Sequence, residues 1–327
     1  MKRYLRLARP FTLLPPLLGI VSGAVCAFGS AHNPDPARRV GGAVLLTVAI
    51  GSVCASLMNA ASNIVNQIAD LEIDRQNKPG RPLVTGEIAI GRAWTAAVAL
   101  YVLAIAPTWL VVPYPYVSFA QRFGAPAILH AAFFIYCLGA LATLVYSFRL
   151  FGRTKRHWLA ANLTIAVTRG GLLKVAGWAF VASVAVWEAW AIGSIFAFFL
   201  LGTTSTKDFS DMEGDRAHGC VTLPIRFGVA RAARMIAPFF VAPWLLIPLF
   251  AWLPDPGHST TSTRLLTGDR TFLTLLGFGL AAWGAYAARL LLANPDDLAH
   301  TENHPAWTHM YLLMMSAQVG FALAYVF

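Results

Sequence analysis

The sequence predicts an all-α integral membrane protein, on three observations. Nine apolar runs are each long enough to cross ~30 Å of hydrocarbon as a helix. Charged residues make up 12 % of the chain against 57 % hydrophobic, about half the charge usual in a soluble protein. Lys and Arg gather at alternate connections between the runs. Mean hydropathy is +0.60. In lipid only helices or a closed barrel satisfy the backbone, and the alternation that barrel strands need is absent.

The runs fall at roughly 10–29, 43–67, 92–112, 125–148, 158–180, 183–206, 229–252, 271–292 and 306–327. The first follows Met1-Lys-Arg-Tyr-Leu-Arg-Leu-Ala-Arg9, a basic start that imitates a secretion signal. Its apolar part is too long and no small-x-small site closes it, so it is expected to remain as the first helix. The connectors at 30–40, 113–123, 253–270 and 293–305 are rich in Pro, Ser, Asp and His. None could form a second domain, so residues 1–327 read as one membrane domain.

Net charge is +10, yet its distribution refutes a nucleic-acid role. Eighteen of the 25 Lys and Arg lie at the N-terminus or after even-numbered runs, and five lie on the other side. By the positive-inside rule the N-terminus is cytoplasmic and, with nine crossings, the C-terminus is outside. Cys26, Cys54, Cys137 and Cys220 lack metal or disulfide spacing and read as packing residues. The eight histidines show no catalytic spacing and read as loop or interface residues.

Two acidic clusters carry the chemistry. Asn66-Gln-Ile-Ala-Asp70-Leu-Glu-Ile-Asp74 closes the second run, and Asp208-Phe-Ser-Asp211-Met-Glu-Gly-Asp215 closes the sixth. They hold seven of the 15 acids in the chain. Oxygen ligands three or four positions apart on a helix share one face, so each cluster should aim several at one point. Oxygen-only ligands suit a hard divalent ion, Mg2+ above all, and two such sites suit a diphosphate. Glu72 and Glu213 point away by the same periodicity. Four helices separate the clusters, as two related four-helix units plus a ninth helix would place them.

Basic loops surround both clusters. Arg75-Gln-Asn-Lys78-Pro-Gly-Arg81-Pro is a shaped turn that sets Lys78 and Arg81 beside the metals, where a diphosphate's free oxygens need cations. The loop from Tyr146 carries Arg149, Arg153, Lys155 and Arg156, with Lys155 or a neighbouring arginine as a phosphate ligand. Inside the fifth run lie Asn162, Arg169 and Lys174; charge at that depth is functional or paired, and Lys174 could snorkel to an interface. A protein that binds a diphosphate at the bilayer edge handles one attached to a lipid. A prenyl diphosphate supplies both halves, and aromatic faces can shield the allylic cation its ionisation leaves.

These residues resemble the UbiA superfamily of intramembrane prenyltransferases over nearly the whole chain. Arg6-Leu-Ala-Arg9-Pro10 resembles the family's opening, Asn63 to Asp74 its first Asp-rich motif, and Lys207-Asp208 to Asp215 its second. Tyr146-Ser147 with Lys155, then Asn162 and Arg169-Gly170, fit the pattern between. The wording around Asn77-Lys-Pro79 is most similar to homogentisate and related aromatic prenyltransferases. Archaeal-type geranylgeranylglyceryl phosphate prenyltransferases and chlorophyll synthases share much of it. Gln67 departs from the Asp many members carry, and the loop from Tyr146 to Lys155 lacks the usual prolines and is a residue longer.

The resemblance implies nine helices around a central cavity. Asn66, Asp70, Asp74, Asp211 and Asp215 would hold two Mg2+ ions on a prenyl diphosphate. Arg81 and Lys155 would bind its oxygens, with Lys78, Tyr146, Arg169 and Lys207 as further diphosphate contacts. Asp208 would stand near the acceptor or the metal shell and take the acceptor's proton. The expected reaction is transfer to an aromatic small molecule in the bilayer. Transfer to a glycerophosphate lipid or a chlorin, terpene cyclisation without an acceptor, and transport are the alternatives. Transport fits poorly, because transporters hold their ionisable groups near the midplane and these acids sit at one face.

Overall fold

The computed structural model describes residues 2–257, 264–301 and 304–327. His258 and the rest of 258–263 lie outside them, as do Glu302 and Asn303. The protein is 75 % helical, with no strand among the described residues. It begins with α1 (Lys2–Ala8), which buries Leu7. Among the described residues seven helices are long and apolar enough to cross a membrane. They are α2 (Pro10–Gly29), α3 (Gly42–Ala69), α5 (Ile90–Leu110), α8 (Trp187–Lys207), α10 (Val229–Trp252), α11 (Arg270–Ala293) and α12 (Pro305–Val326). A shorter apolar helix, α6, covers Ala131–Ser147. Helix α7 spans 158–178 and is broken by a π-helical stretch at Ala166–Leu172. Two short helices, α4 (Leu71–Asn77) and α9 (Met212–Ala217), follow α3 and α8.

Local chemistry sets these limits. Proline starts α2 and α12, where the first-turn N–H groups have no helical partner. Asp269 caps α11 by accepting from the Phe272 amide at 2.7 Å. Pro79-Gly80 prevents α4 from continuing.

Leu45, Leu46 and Val53 on α3 are all more than half exposed, as side chains facing lipid are. The inner contacts use small residues. A Cβ on Gly177 would meet the Ile20 carbonyl oxygen at 2.2 Å, and one on Gly23 the Lys174 carbonyl oxygen at 2.6 Å. Glycine therefore lets α2 and α7 touch backbone to backbone, as small residues do between membrane helices.

One expectation is corrected here. Lys174 does not snorkel. It is buried, its Nζ donates to Ser22 Oγ at 2.7 Å and lies 4.5 Å from the Phe196 ring centre, because α2, α8 and α12 enclose it. His130 lies in the connection just before α6, as a loop histidine was expected to. It is fully buried, stacked on Trp109 at 3.7 Å between ring centres, with both ring nitrogens bonded to carbonyls.

Candidate active site

Both acidic motifs are built alike. Helix α3 stops at Asp70 (φ −101°, ψ 14°), and α4 begins at the next residue. Asp211 takes nearly the same conformation (φ −100°, ψ 5°) just before α9. In each case the backbone N–H of the later aspartate donates to the earlier one's carbonyl, at 2.8 Å for Asp74 and 3.1 Å for Asp215. At Asp70 the α-helical hydrogen-bond register runs on through the turn, from Asn66 to Asp70 to Asp74. Before Asp211, by contrast, helix α8 tightens to a 3-10 stretch at Thr204–Lys207. Both turns carry the later aspartate, Asp74 or Asp215, into a buried position.

The two motifs face each other through Asn77. Its Nδ2 donates to the Asp211 carbonyl at 3.2 Å, and its Oδ1 accepts from the Gly214 N–H at 3.1 Å. A Cβ on Gly214 would strike that amide at 2.3 Å. Glu72 and Glu213 turn outward, as their spacing predicts. Glu72 takes Arg75 at 2.8 Å, and Glu213 takes Gln76 at 3.5 Å.

Each cluster was expected to aim its oxygens at one point, and the side chains depart from that. Among the described residues no three His, Cys, Asp or Glu side chains converge on a common centre. Like charges repel, so the carboxylates take neighbouring cations instead. Lys155 Nζ lies 2.6 Å from Asp70 Oδ2, and Arg153 Nη2 lies 3.4 Å from Asp70 Oδ1. Arg81 pairs with Asp74, and Lys78 lies 3.4 Å from Asp211 Oδ1. That Asp211 oxygen is buried and accepts no hydrogen bond. All-oxygen donors with one buried oxygen unbonded fit a hard divalent cation.

The electrostatics carry the strain of gathered acids. Burial, then the charge of Asp215, pushes the Asp208 carboxyl up to about 7. Burial raises Asp215 to about 6; Lys155 opposes that shift, and Asp211, Asp70 and Asp74 add to it. Burial also raises Asp74, partly offset by Arg81. Burial works against the Lys155 ammonium, but Asp70 outweighs it and holds the group above its usual value.

Beside the motifs opens a polar cavity of about 220 Å³. Asn66, Tyr146, Arg169, Lys207 and Asp208 line it, so five of the sequence candidates meet there. Asn66 Oδ1 accepts from Ser147 Oγ at 2.5 Å. Arg169 arrives on the π-helical stretch, an irregularity frequent at functional sites. The next residue explains how that wider turn packs, since a Cβ on Gly170 would meet the Ala197 backbone at 2.7 Å.

The cavity continues through Ser62, Thr143, Thr168 and Arg169 into a mainly apolar branch of about 110 Å³ with Met58, Ile135 and Tyr136 on its walls. Tyr136 is held by a 2.7 Å bond to the Gly51 carbonyl.

Sequence reasoning assigned no site role to Arg9, which lines the polar cavity. Its backbone is left-handed (φ 56°), a strained state for a residue with a Cβ. The signal was present in its place before Pro10, but the positive-inside pattern absorbed it. Gln67, the departure from the family pattern, turns away from the cavity and donates to the Leu7 carbonyl at 2.7 Å, tying α1 to α3.

Residues 16–304 match the UbiA prenyltransferase family. The chain is 26 % identical over 306 residues to the bacteriochlorophyll synthase 34 kDa chain of Chloroflexus aurantiacus, covering 89 % of this chain and 90 % of that one. It is 29 % identical over 251 residues to the digeranylgeranylglyceryl phosphate synthase of Methanopyrus kandleri, covering 76 % and 78 %. It is 30 % identical over 254 residues to a probable homogentisate phytyltransferase 2 of Oryza sativa subsp. japonica, covering 76 % and 61 %.

Among solved structures, a UbiA homolog from Archaeoglobus fulgidus bound to GPP and Mg2+ matches with a TM-score of 0.70 at 20 % identity, over 99 % of both chains. That likeness concerns the fold. With the family match spanning most of the sequence and the facing Asp motifs described above, this multi-pass membrane protein is a prenyltransferase that belongs to the UbiA family.

Proposed function

We propose that the protein transfers a prenyl group from its diphosphate to an aromatic acceptor inside the bilayer, in a Mg2+-dependent reaction. The observation that carries this reading is the facing of two aspartate motifs across Asn77, beside a polar cavity that runs into an apolar one. Asn66, Asp70, Asp74, Asp211 and Asp215 would hold two Mg2+ ions. Mg2+ bound there would neutralise the diphosphate and make it a good leaving group.

Lys155, Arg81 and Lys78 would leave their aspartates for phosphate oxygens, joined by Lys207, Arg169 and Tyr146. The allylic carbon–oxygen bond breaks and diphosphate departs with the electron pair. Tyr and Trp faces in the cavity shield the cation, and the apolar branch takes the tail. The new carbon–carbon bond forms at the acceptor ring, whose proton goes to Asp208.

Asp208 is also what favours this acceptor class. A carboxyl held near 7 can take a proton at neutral pH. Carbon prenylation of an aromatic ring releases one, whereas alkylation of a chlorin's carboxylate releases none. A glycerophosphate lipid's hydroxyl also loses a proton, and the Methanopyrus relative's name makes that the second reading.

The chain would form one domain of nine crossings, counting α6 and α7 with the seven long helices. The positive-inside rule would place the N-terminus and the acidic face in the cytoplasm and the C-terminus outside. The test is incubation of purified protein with Mg2+, farnesyl or geranylgeranyl diphosphate, and a panel of phenols, quinolones and geranylgeranylglyceryl phosphate. Prenylated phenol or quinolone supports the proposal, and product from the glycerophosphate alone replaces it with the second reading.

A further inference from the structure

A second depression, of about 400 Å³, lies behind the acidic motifs. It shares no lining residue with the cavity described above. Arg149, Arg153 and Arg156 converge on it, with Glu72 and His218 on its far wall.

The charges there do not balance. Arg156 Nε donates to the Gly219 carbonyl at 3.2 Å, a neutral acceptor. Arg153 reaches Asp70 only at 3.4 Å, and its Nε is buried without a hydrogen-bond partner. Arg149 is exposed, and its side chain makes no ion pair or hydrogen bond among the described residues. Glu72, the one carboxylate on the wall, is engaged by Arg75 at 2.8 Å. Of the three guanidiniums only Arg153 approaches a carboxylate, at 3.4 Å, and a partly buried cation without a close counter-ion is unfavourable until an anion joins it.

Local backbone holds them in place. Gly152 (φ 103°) and Arg153 (φ 43°) are both left-handed, which turns the loop back on itself. Between Arg149 and that turn, Leu150 is 88 % exposed and Phe151 45 % exposed. Apolar side chains beside arginines at a helix end are what an interfacial segment presents to acyl chains, with the cations at phosphate level.

We propose that this groove binds a phosphate group, held between the Arg149, Arg153 and Arg156 guanidiniums. Planar guanidinium forks match phosphate oxygens two at a time. The phosphate could belong to an anionic phospholipid headgroup or be free in solution.

The experiment uses the full-length protein in phosphatidylcholine nanodiscs with EDTA present, beside R149Q/R156Q. In one arm inorganic phosphate is titrated by calorimetry. In the other, native mass spectrometry counts lipid retained from nanodiscs in which a fifth of the lipid is phosphatidylglycerol. The site predicts that the double variant weakens phosphate binding at least about tenfold, or retains one phosphatidylglycerol fewer. Loss in the first arm alone identifies a free phosphate, and loss in the second alone a headgroup. Equal phosphate affinity and equal lipid retention in the two proteins would overturn the proposal. Should the double variant misfold, R149Q serves in both arms, because Arg149 is exposed and its side chain holds no other described residue in place.

Discussion

Lys155 Nζ lies 2.6 Å from Asp70 Oδ2 while Arg153 approaches the other oxygen of the same carboxylate at 3.4 Å. One aspartate is thus held by two cations. Arg81 on Asp74 and Lys78 near Asp211 repeat the arrangement. The groups proposed to hold metal and those proposed to hold diphosphate neutralise one another across a few ångströms. On the proposed reading, a diphosphate arriving with its metal would let both sets exchange partners with little change in net charge. The present pairing explains how so many like charges coexist in a buried site.

Removal of Lys155 should therefore split two observables. In Lys155→Gln, Asp70 loses its closest counter-ion, so Mg2+ should bind as tightly as in the wild type or tighter. The KM for prenyl diphosphate should rise on the order of 10–100-fold, the loss of one charge-assisted contact of about 1.5–3 kcal/mol. Calorimetry for the metal and steady-state kinetics for the substrate check this. A metal affinity that falls with the variant would mean that Lys155 only shapes the loop.

Acidification should weaken metal binding. Asp215, in the proposed metal site, is raised to about 6, so below this value the protonated form dominates and Mg2+ must displace a proton. The sign follows directly: apparent Mg2+ affinity falls as pH drops from 8 to 6, and binding near pH 6.5 releases protons. Calorimetry in two buffers of different ionisation enthalpy measures that release. A proton count of zero across this range would contradict the assignment of Asp215 to the metal site.

Both motifs were legible in the sequence, because so apolar a chain has little reason to place oxygen ligands at helical spacing unless they bind something. The turn at Asp70 and its twin at Asp211 were not. Nothing in a run of Ala-Asp-Leu-Glu distinguishes a continuous helix from one that bends, since both keep the hydrogen bond from Asp74 to Asp70. Arg169 was legible as a costly charge at depth, whereas the π-turn that presents it depends on how closely Gly170 meets α8. Lys174 read as a snorkelling side chain and proved buried, for burial inside a bundle is set by which helices surround it. Arg9 was hidden among basic residues that topology alone would explain.

Asn77 offers a test of the facing motifs. Asn77→Ala removes the bonds to the Asp211 carbonyl and the Gly214 N–H; the carbonyl keeps the Asp215 N–H, and the Gly214 N–H is left short of a partner at about 1–3 kcal/mol. The two aspartate turns should drift apart, lowering kcat about 10–100-fold. Elution of the purified protein should stay at the wild-type position, with melting lowered by no more than that cost implies. Unchanged kcat would mean that the motifs align without this bridge.

Glycine packing between α2 and α7 gives a stability prediction remote from the chemistry. Gly177→Ala places a methyl 2.2 Å from the Ile20 carbonyl oxygen, a contact that only backbone movement relieves. Overpacking of this kind costs about 1–3 kcal/mol, seen as a clear fall in melting temperature in detergent. Gly139→Ala, where nothing lies within 4 Å of the new atom, should melt like the wild type.

Diphosphate release from geranylgeranyl diphosphate by purified protein tests the central claim most directly. It would be measured with Mg2+ or EDTA, with and without a mixed aromatic acceptor pool, beside Asp70→Ala and Asp211→Ala. The account predicts release that requires metal and acceptor together and falls at least about 100-fold in either variant. Release that persists in EDTA, or in both variants, would contradict it.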